Sequence, residues 1–155
     1  MSSTLCPAVT CRRVGLNRID DLLALETACF SADRILRRNL RRLLVSPTAY
    51  CLGAYRSGRL VGSMIVLFRR NSRKAWIYSL AVSSELRGMG IGRRLMARAE
   101  QEVRRRGCSH IRLEVRMDNF SALRMYEQSG YVYTAVIPGY YADGTHAFVM
   151  NKELS

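Results

Sequence analysis

Apolar positions along this chain recur with two different periods, and the switches between the periods outline its elements. Residues 8–14 are short and partly apolar, as an opening strand would be. Asp20 or Asp21 then stands where a helix cap belongs, ahead of Leu22, Leu23, Leu25, Glu26 and Cys29 at near-helical spacing. A second helix is expected to start at residues 31–33. Ile35, Leu36, Leu40, Leu43 and Leu44 would form its apolar side, and Arg37, Arg38, Arg41 and Arg42 its charged side. The charged face reads first as solvated arginines, with contact to an acidic substrate or a ribosomal partner as the alternative. Ser46-Pro47 ends this helix, because proline drives the residue before it out of helical geometry.

Strands are expected at 49–55 and 60–69, joined by Arg56-Ser57-Gly58-Arg59, which has hairpin length and a glycine for a positive-φ position. A turn at 71–73 leads into 75–82, an apolar run of the kind that forms a buried strand. The helical period returns over 91–106, with Ile91, Leu95, Met96, Ala99 and Val103 facing inward and Gly107 at the C-terminus. From His110 to Arg116 the chain alternates, with Ile111, Leu113 and Val115 on one face and Arg112, Glu114 and Arg116 on the other. Asn119 caps a short helix to Ser129, Gly130 stops it, and strands at 131–137 and 147–151 follow. The order β-α-α-β-β-β-α-β-α-β-β predicts an α/β fold: a mixed central sheet of about seven strands flanked by about four helices, in a single domain over residues 1–155.

Composition adjusts this picture in a few places. The formal net charge is +13, and of the 25 basic residues all but Lys74 and Lys152 are arginine. That skew fits codon bias as well as selected surface chemistry. The arginines are dispersed without interleaved aromatics, so nucleic acid is not the expected partner. The five cysteines, Cys6, Cys11, Cys29, Cys51 and Cys108, form no CxxC pair and are joined by only two histidines, which argues against a metal site or a disulfide framework. They read as reduced packing thiols, a nucleophilic cysteine being the alternative. The first ten residues lack a signal-peptide pattern, and no apolar run approaches the roughly 20 residues of a membrane span. A cytoplasmic protein with no membrane partner is expected; monomer and weak dimer both stay open.

Chemistry enters at residues 80–92, where Leu80-Ala81-Val82 runs through Ser83-Ser84-Glu85-Leu86 into Arg87-Gly88-Met89-Gly90-Ile91-Gly92. Glycines let backbone approach an anion, and a helix's first-turn N–H groups attract phosphate, so this strand-to-helix turn suits a pyrophosphate. Arg87 would add a charge-assisted contact. A Walker loop would end Gly-Lys-Ser/Thr, whereas this one ends Gly92-Arg93-Arg94; a dinucleotide fingerprint is contradicted by the hairpins upstream.

Arg87, Gly90 and Gly92, spaced Arg-x-x-Gly-x-Gly after an apolar strand, resemble the acetyl-coenzyme A loop of the GNAT superfamily of N-acetyltransferases. The resemblance implies the acyl-coenzyme A N-acyltransferase fold, with acetyl-coenzyme A as cosubstrate and no metal. It also implies that the backbone of Leu80, Ala81 and Val82 meets the pantetheine arm, that Arg87, Gly88, Met89, Gly90, Ile91 and Gly92 hold the pyrophosphate, and that Asn119 to Tyr126 supports the cofactor. The run from Leu113 to Tyr131 is similar to that of bacterial ribosomal-protein-alanine N-terminal acetyltransferases, which implies Glu114 as general base and Tyr126 as general acid. Gly139-Tyr140-Tyr141-Ala142-Asp143-Gly144 resembles the tyrosine-bearing loop of that branch, which assigns Tyr140 and Tyr141 to the acceptor pocket. Ala32-Asp33-Arg34 departs from it, since those enzymes more often carry Trp-Ser there. The implied acceptor is the N-terminal α-amine of a protein such as a ribosomal protein; a small amine, or a non-catalytic acyl-coenzyme A sensor, are the alternatives.

The reaction needs such a pair of groups on its own account. An α-amine with a pKa of about 8 must lose a proton before it attacks a thioester, and a carboxylate of pKa about 4 takes that proton poorly unless it acts through water or is shifted upward. Arg112 and Arg116 on the face of Glu114 pull the other way. Tyr126, two turns beyond Asn119, could reprotonate the leaving thiolate. Competing structural roles are a salt bridge for Glu114, a core anchor for Tyr126, turn packing for Tyr140 and Tyr141, and for His146 a strand position rather than a base.

Overall fold

The computed structural model describes residues 8–30 and 35–154. Its elements are β1 (Val9–Arg13), α1 (Ile19–Cys29), α2 (Arg37–Val45), β2 (Ala49–Arg56), β3 (Arg59–Phe68), β4 (Lys74–Val82), α3 (Ile91–Arg105), β5 (His110–Arg116), α4 (Phe120–Gln128), β6 (Val132–Ile137) and β7 (Ala147–Glu153). This is the order the patterning predicts. The strands form one sheet, β1-β2-β3-β4-β5-β7-β6, in which β4 and β5 are parallel and every other neighbouring pair is antiparallel.

Helices cover both faces of the sheet. Leu95, Met96, Ala99 and Val103 of α3 pack with Leu52, Met64, Val66, Ile111 and Leu113, and Leu123 and Tyr126 of α4 join the same cluster. On the opposite face, Ile19, Leu22 and Leu40 from α1 and α2 meet Val14, Cys51 and Ile65. Successive residues of β2 therefore bury on opposite sides, which is why the strand shows no polar alternation. At Gly62 an added Cβ would stand 2.9 Å from Ile91 Cγ2, so the missing side chain is what lets α3 lie close on β3. The hairpin between β2 and β3 takes positive φ at both Ser57 and Gly58, the geometry that matches strand twist.

Three local expectations change. Helix α1 begins at Ile19, so Asp20 and Asp21 occupy its first turn, where negative charge suits the helix dipole, and no side chain caps it. The expected start of the second helix at 31–33 lies outside the described residues, and the described helix opens at Arg37 after an extended Leu36. Strand β4 is not buried on both faces: Ala75 and Ile77 are inside, while Tyr78 is 42% exposed. On its second face, beside α1, Tyr78 and Ser79 border a cleft.

Inward on α3 the apolar stripe also contains a carboxylate, Glu100. It accepts a 2.9 Å hydrogen bond from the Tyr131 hydroxyl and lies 3.1 Å from Lys152 Nζ, tying α3 to the start of β6 and to β7. Among the described residues no helix is long and apolar enough to cross a membrane.

Candidate active site

A slip in the ladder between β3 and β4 sets up the site. Ile65 faces Ser79 while Val66 faces Ile77, so Tyr78 is the extra residue of a bulge. Without it, Ser79 would share the α3 side with Ile77. With it, Leu80 and Val82 pack with the α3 cluster and Ser79 turns toward α1. One pairing further on, the parallel ladder between β4 and β5 stops at Ile77 and Leu113. Residues 78–82 continue against β3 alone, which turns the other edge of their backbone toward the gap.

A cavity of about 400 Å³ opens on this gap. Of the cofactor residues expected from sequence, Leu80, Ala81, Val82, Arg87, Gly88, Gly90, Ile91, Gly92 and Asn119 line it. Met89 does not; its side chain is 53% exposed on the outside of the loop. Gly90 is the N-cap of α3 in the left-handed region, with no side-chain cap bond, so the first-turn N–H groups stay available to an incoming anion. An added Cβ at Gly88 or Gly90 would meet no atom within 4 Å, and both have φ near +80°. At Gly92 a Cβ would stand 2.8 Å from Met125 Sδ, so this glycine makes room for α4. Arg93 and Arg124 join Arg87 on the lining. Open N–H groups, glycine backbone and three guanidinium groups beside an apolar, half-paired strand fit a nucleotide diphosphate carrying a long amide arm.

Through the gap lies a second cavity of about 210 Å³, which shares Phe30, Leu80, Asn119 and Ala122 with the first. Glu114 and Tyr126 both line it, and Tyr126 borders this cavity rather than the first. Glu114 is held on both sides: the Trp76 indole donates to Oε1 at 2.6 Å and Arg112 Nε to Oε2 at 2.8 Å. Tyr126 is 5% exposed and edge-on to Tyr131, with ring centroids 5.8 Å apart; burial raises its hydroxyl pKa, and Tyr141 adds to the effect. Asn119 caps α4 through a 3.3 Å bond from the Ala122 N–H, which fixes the segment carrying Tyr126.

The loop after β6 closes the outer side. Tyr141 lines the cavity, whereas Tyr140 stands beside it, 44% exposed and edge-on to Tyr141. Arg116, which the alternation put beside Glu114, reaches instead to Asp143 at 2.6 Å, Thr145 at 2.9 Å and Asp118 at 3.1 Å, and stacks over the Tyr141 ring. His146 accepts the Gly139 N–H at 2.8 Å and so pins the loop; it does not line either cavity. The departing segment Ala32-Asp33-Arg34 lies outside the described residues.

A carboxylate on the second cavity went unassigned in the sequence. Glu26 of α1 is 3% exposed, lines the second cavity, and accepts a 2.6 Å hydrogen bond from Ser79 Oγ. Burial raises its pKa above 4.5, against the lowering effect of that bond. A carboxylate falling on the inward stripe of α1 was the available signal.

An anion cradle at a helix start is thus joined, through a split strand pair, to a pocket lined by carboxylates and tyrosines. Residues 18–131 match the model of the acetyltransferase (GNAT) family, and the chain belongs to that family. An uncharacterized N-acetyltransferase of Methanocaldococcus jannaschii is 39% identical over 97 residues, 62% of this chain and 61% of that protein. The catalytic subunit of the Arabidopsis thaliana N-terminal acetyltransferase A complex is 29% identical over 143 residues, 88% and 74% of the two chains. The crystal structure of the ribosomal-protein-S18-alanine N-acetyltransferase of Escherichia coli superposes with a TM-score of 0.85 over 96% of this chain and 95% of that one, at 20% identity, a likeness of fold. The matched stretch spans less than two thirds of the archaeal relative's length.

Proposed function

We propose that this protein transfers an acetyl group from acetyl-coenzyme A to the N-terminal α-amine of a protein, working in the cytoplasm with a ribosomal protein as the first acceptor to test. The observation that carries this reading is the meeting of the two cavities at the split between β4 and β5, where a thioester held from one side faces an amine arriving from the other. Likeness to the Arabidopsis N-terminal acetyltransferase subunit over most of both chains supports the choice of an α-amine.

When bound, acetyl-coenzyme A supplies the activated acetyl group. Arg87 and the open N–H groups at the start of α3 hold its diphosphate, and the free edge of residues 80–82 aligns its arm. Glu114, fixed by Trp76 and Arg112, orients the acceptor's ammonium at the gap. Tyr126, buried and neutral, donates its hydroxyl proton toward the departing sulfur. Tyr140 and Tyr141 frame the acceptor's first residues. An acetyl-transfer screen with N-terminal peptides, lysine peptides and small amines tests the reading, comparing wild type with Glu114→Gln and Tyr126→Phe. The expected losses are about 10²-fold or more in kcat for each variant on an N-terminal peptide. Equal rates in all three proteins would remove this pair.

A further inference from the structure

We infer that Glu26 is the carboxylate that accepts the proton of the incoming α-ammonium group. The inference rests on the acetyl-transfer reading and names the proton acceptor within that same pocket.

Both candidate carboxylates border the second cavity, but they differ in what already holds them. Each oxygen of Glu114 accepts a hydrogen bond, one from the Trp76 indole and one from the Arg112 guanidinium. Such a group is built to orient. Among the described residues Glu26 receives a single side-chain bond, from a neutral hydroxyl, to Oε2. Its carboxyl is nearly shut off from bulk water yet borders the acceptor cavity, and burial makes it more basic than an ordinary carboxylate. The bulge at Tyr78 is what points Ser79 at it.

Other groups surrounding Glu26 leave this role open to it. Tyr78 from β4, Cys29 on its own helix and Cys51 from β2 all feel its charge, and burial raises the pKa of each, so all three stay neutral near pH 7. Across the cavity stand Glu114 and Arg116 of β5, Tyr126 of α4 and Tyr141 of the loop, and Arg116 is committed to Asp143 and Asp118. The protons balance. One leaves the ammonium for Glu26 before attack and passes to water after turnover. As the C–N bond forms and the C–S bond breaks, a second leaves the nitrogen, and Tyr126, which protonates the sulfur, recovers one in exchange.

The test is a pH–rate profile on an N-terminal peptide, together with melting of the ligand-free protein. Glu26→Gln is expected to lower kcat/KM about tenfold near pH 7, where about a tenth of the amine is neutral, with the gap closing as pH rises past about 8. Ser79→Ala removes the bond that lowers the Glu26 pKa, so the acid limb of its profile should move to higher pH with the maximum rate retained. Folded Glu26 has a raised pKa, so its contribution to stability is full below the unfolded value and is lost as pH rises through the folded one. Ligand-free Glu26→Gln should therefore match wild type in melting temperature at acid pH and exceed it at pH 8. A constant loss at every pH, or a Glu26→Gln profile that overlays wild type, would overturn the role of Glu26 while leaving acetyl transfer standing. No turnover by wild type on any N-terminal peptide would overturn both.

Discussion

Arg116 contributes more to the acceptor side than its place on an alternating strand suggests. Its guanidinium ties the end of β5 to Asp143 and Thr145 of the tyrosine loop and lies over the Tyr141 ring. These bonds hold the Asp143 carboxyl well below its ordinary range. A depressed carboxylate contributes stability above its unfolded pKa and loses it only as pH falls toward the folded value, so the tie stays closed throughout the neutral range. Replacing Arg116 by Gln should loosen the loop and raise KM for an N-terminal peptide about tenfold, on the order of 1.4 kcal/mol, with KM for acetyl-coenzyme A changing less than about twofold. Steady-state kinetics with each substrate varied in turn decides it; equal changes in both constants would mean that the loop does not shape the acceptor pocket. The sequence places Arg116 beside Glu114 on a strand face, and only the return of residues 138–145 from β6 shows where its charge is used.

Among the elements, the strand, loop and helix from β4 through α3 do most to define the site. Gly90 has a φ of +81°, where an L-residue costs about 1–2 kcal/mol, and an added Cβ meets nothing nearby. Gly90→Val should therefore fold, melt about 3–8 °C lower, and lose the rise in melting temperature that acetyl-coenzyme A gives wild type. A ligand-induced rise equal to that of wild type would contradict the loop's role as the anion cradle. This region also separates what sequence reveals from what it hides. The alternation of β5, the Asn119 cap and the glycine turn before α3 are local features, written within a few residues, and all were legible. The bulge at Tyr78 depends on register against β3, and the Glu26–Ser79 bond joins residues 53 positions apart. An apolar run at 75–82 predicts a buried strand because nothing within it announces that its partner β5 will part from it after Ile77. Glu100 was hidden in the same way, its partners Tyr131 and Lys152 lying far along the chain.

For the molecule as a whole, a net charge of +13 surrounds a pocket bordered by two carboxylates, Glu26 and Glu114. In the proposed reaction the basic surface would attract the anionic diphosphate to the first cavity, while the carboxylates would give a cationic α-ammonium a local destination in the second. That division of charge favours an N-terminus over a polycationic amine, which the surface would repel. It also favours the α-amine over a lysine ε-amine, whose pKa of about 10.4 makes it harder to deprotonate. The central claim is the position of the acetyl group. The direct measurement is fragment-ion mass spectrometry of a peptide bearing both a free N-terminus and an internal lysine, after incubation with the protein and acetyl-coenzyme A. A single acetyl group on the N-terminal nitrogen, absent with Tyr126→Phe over the same time, is the result predicted here; acetyl on the lysine alone, or on neither amine, would contradict it.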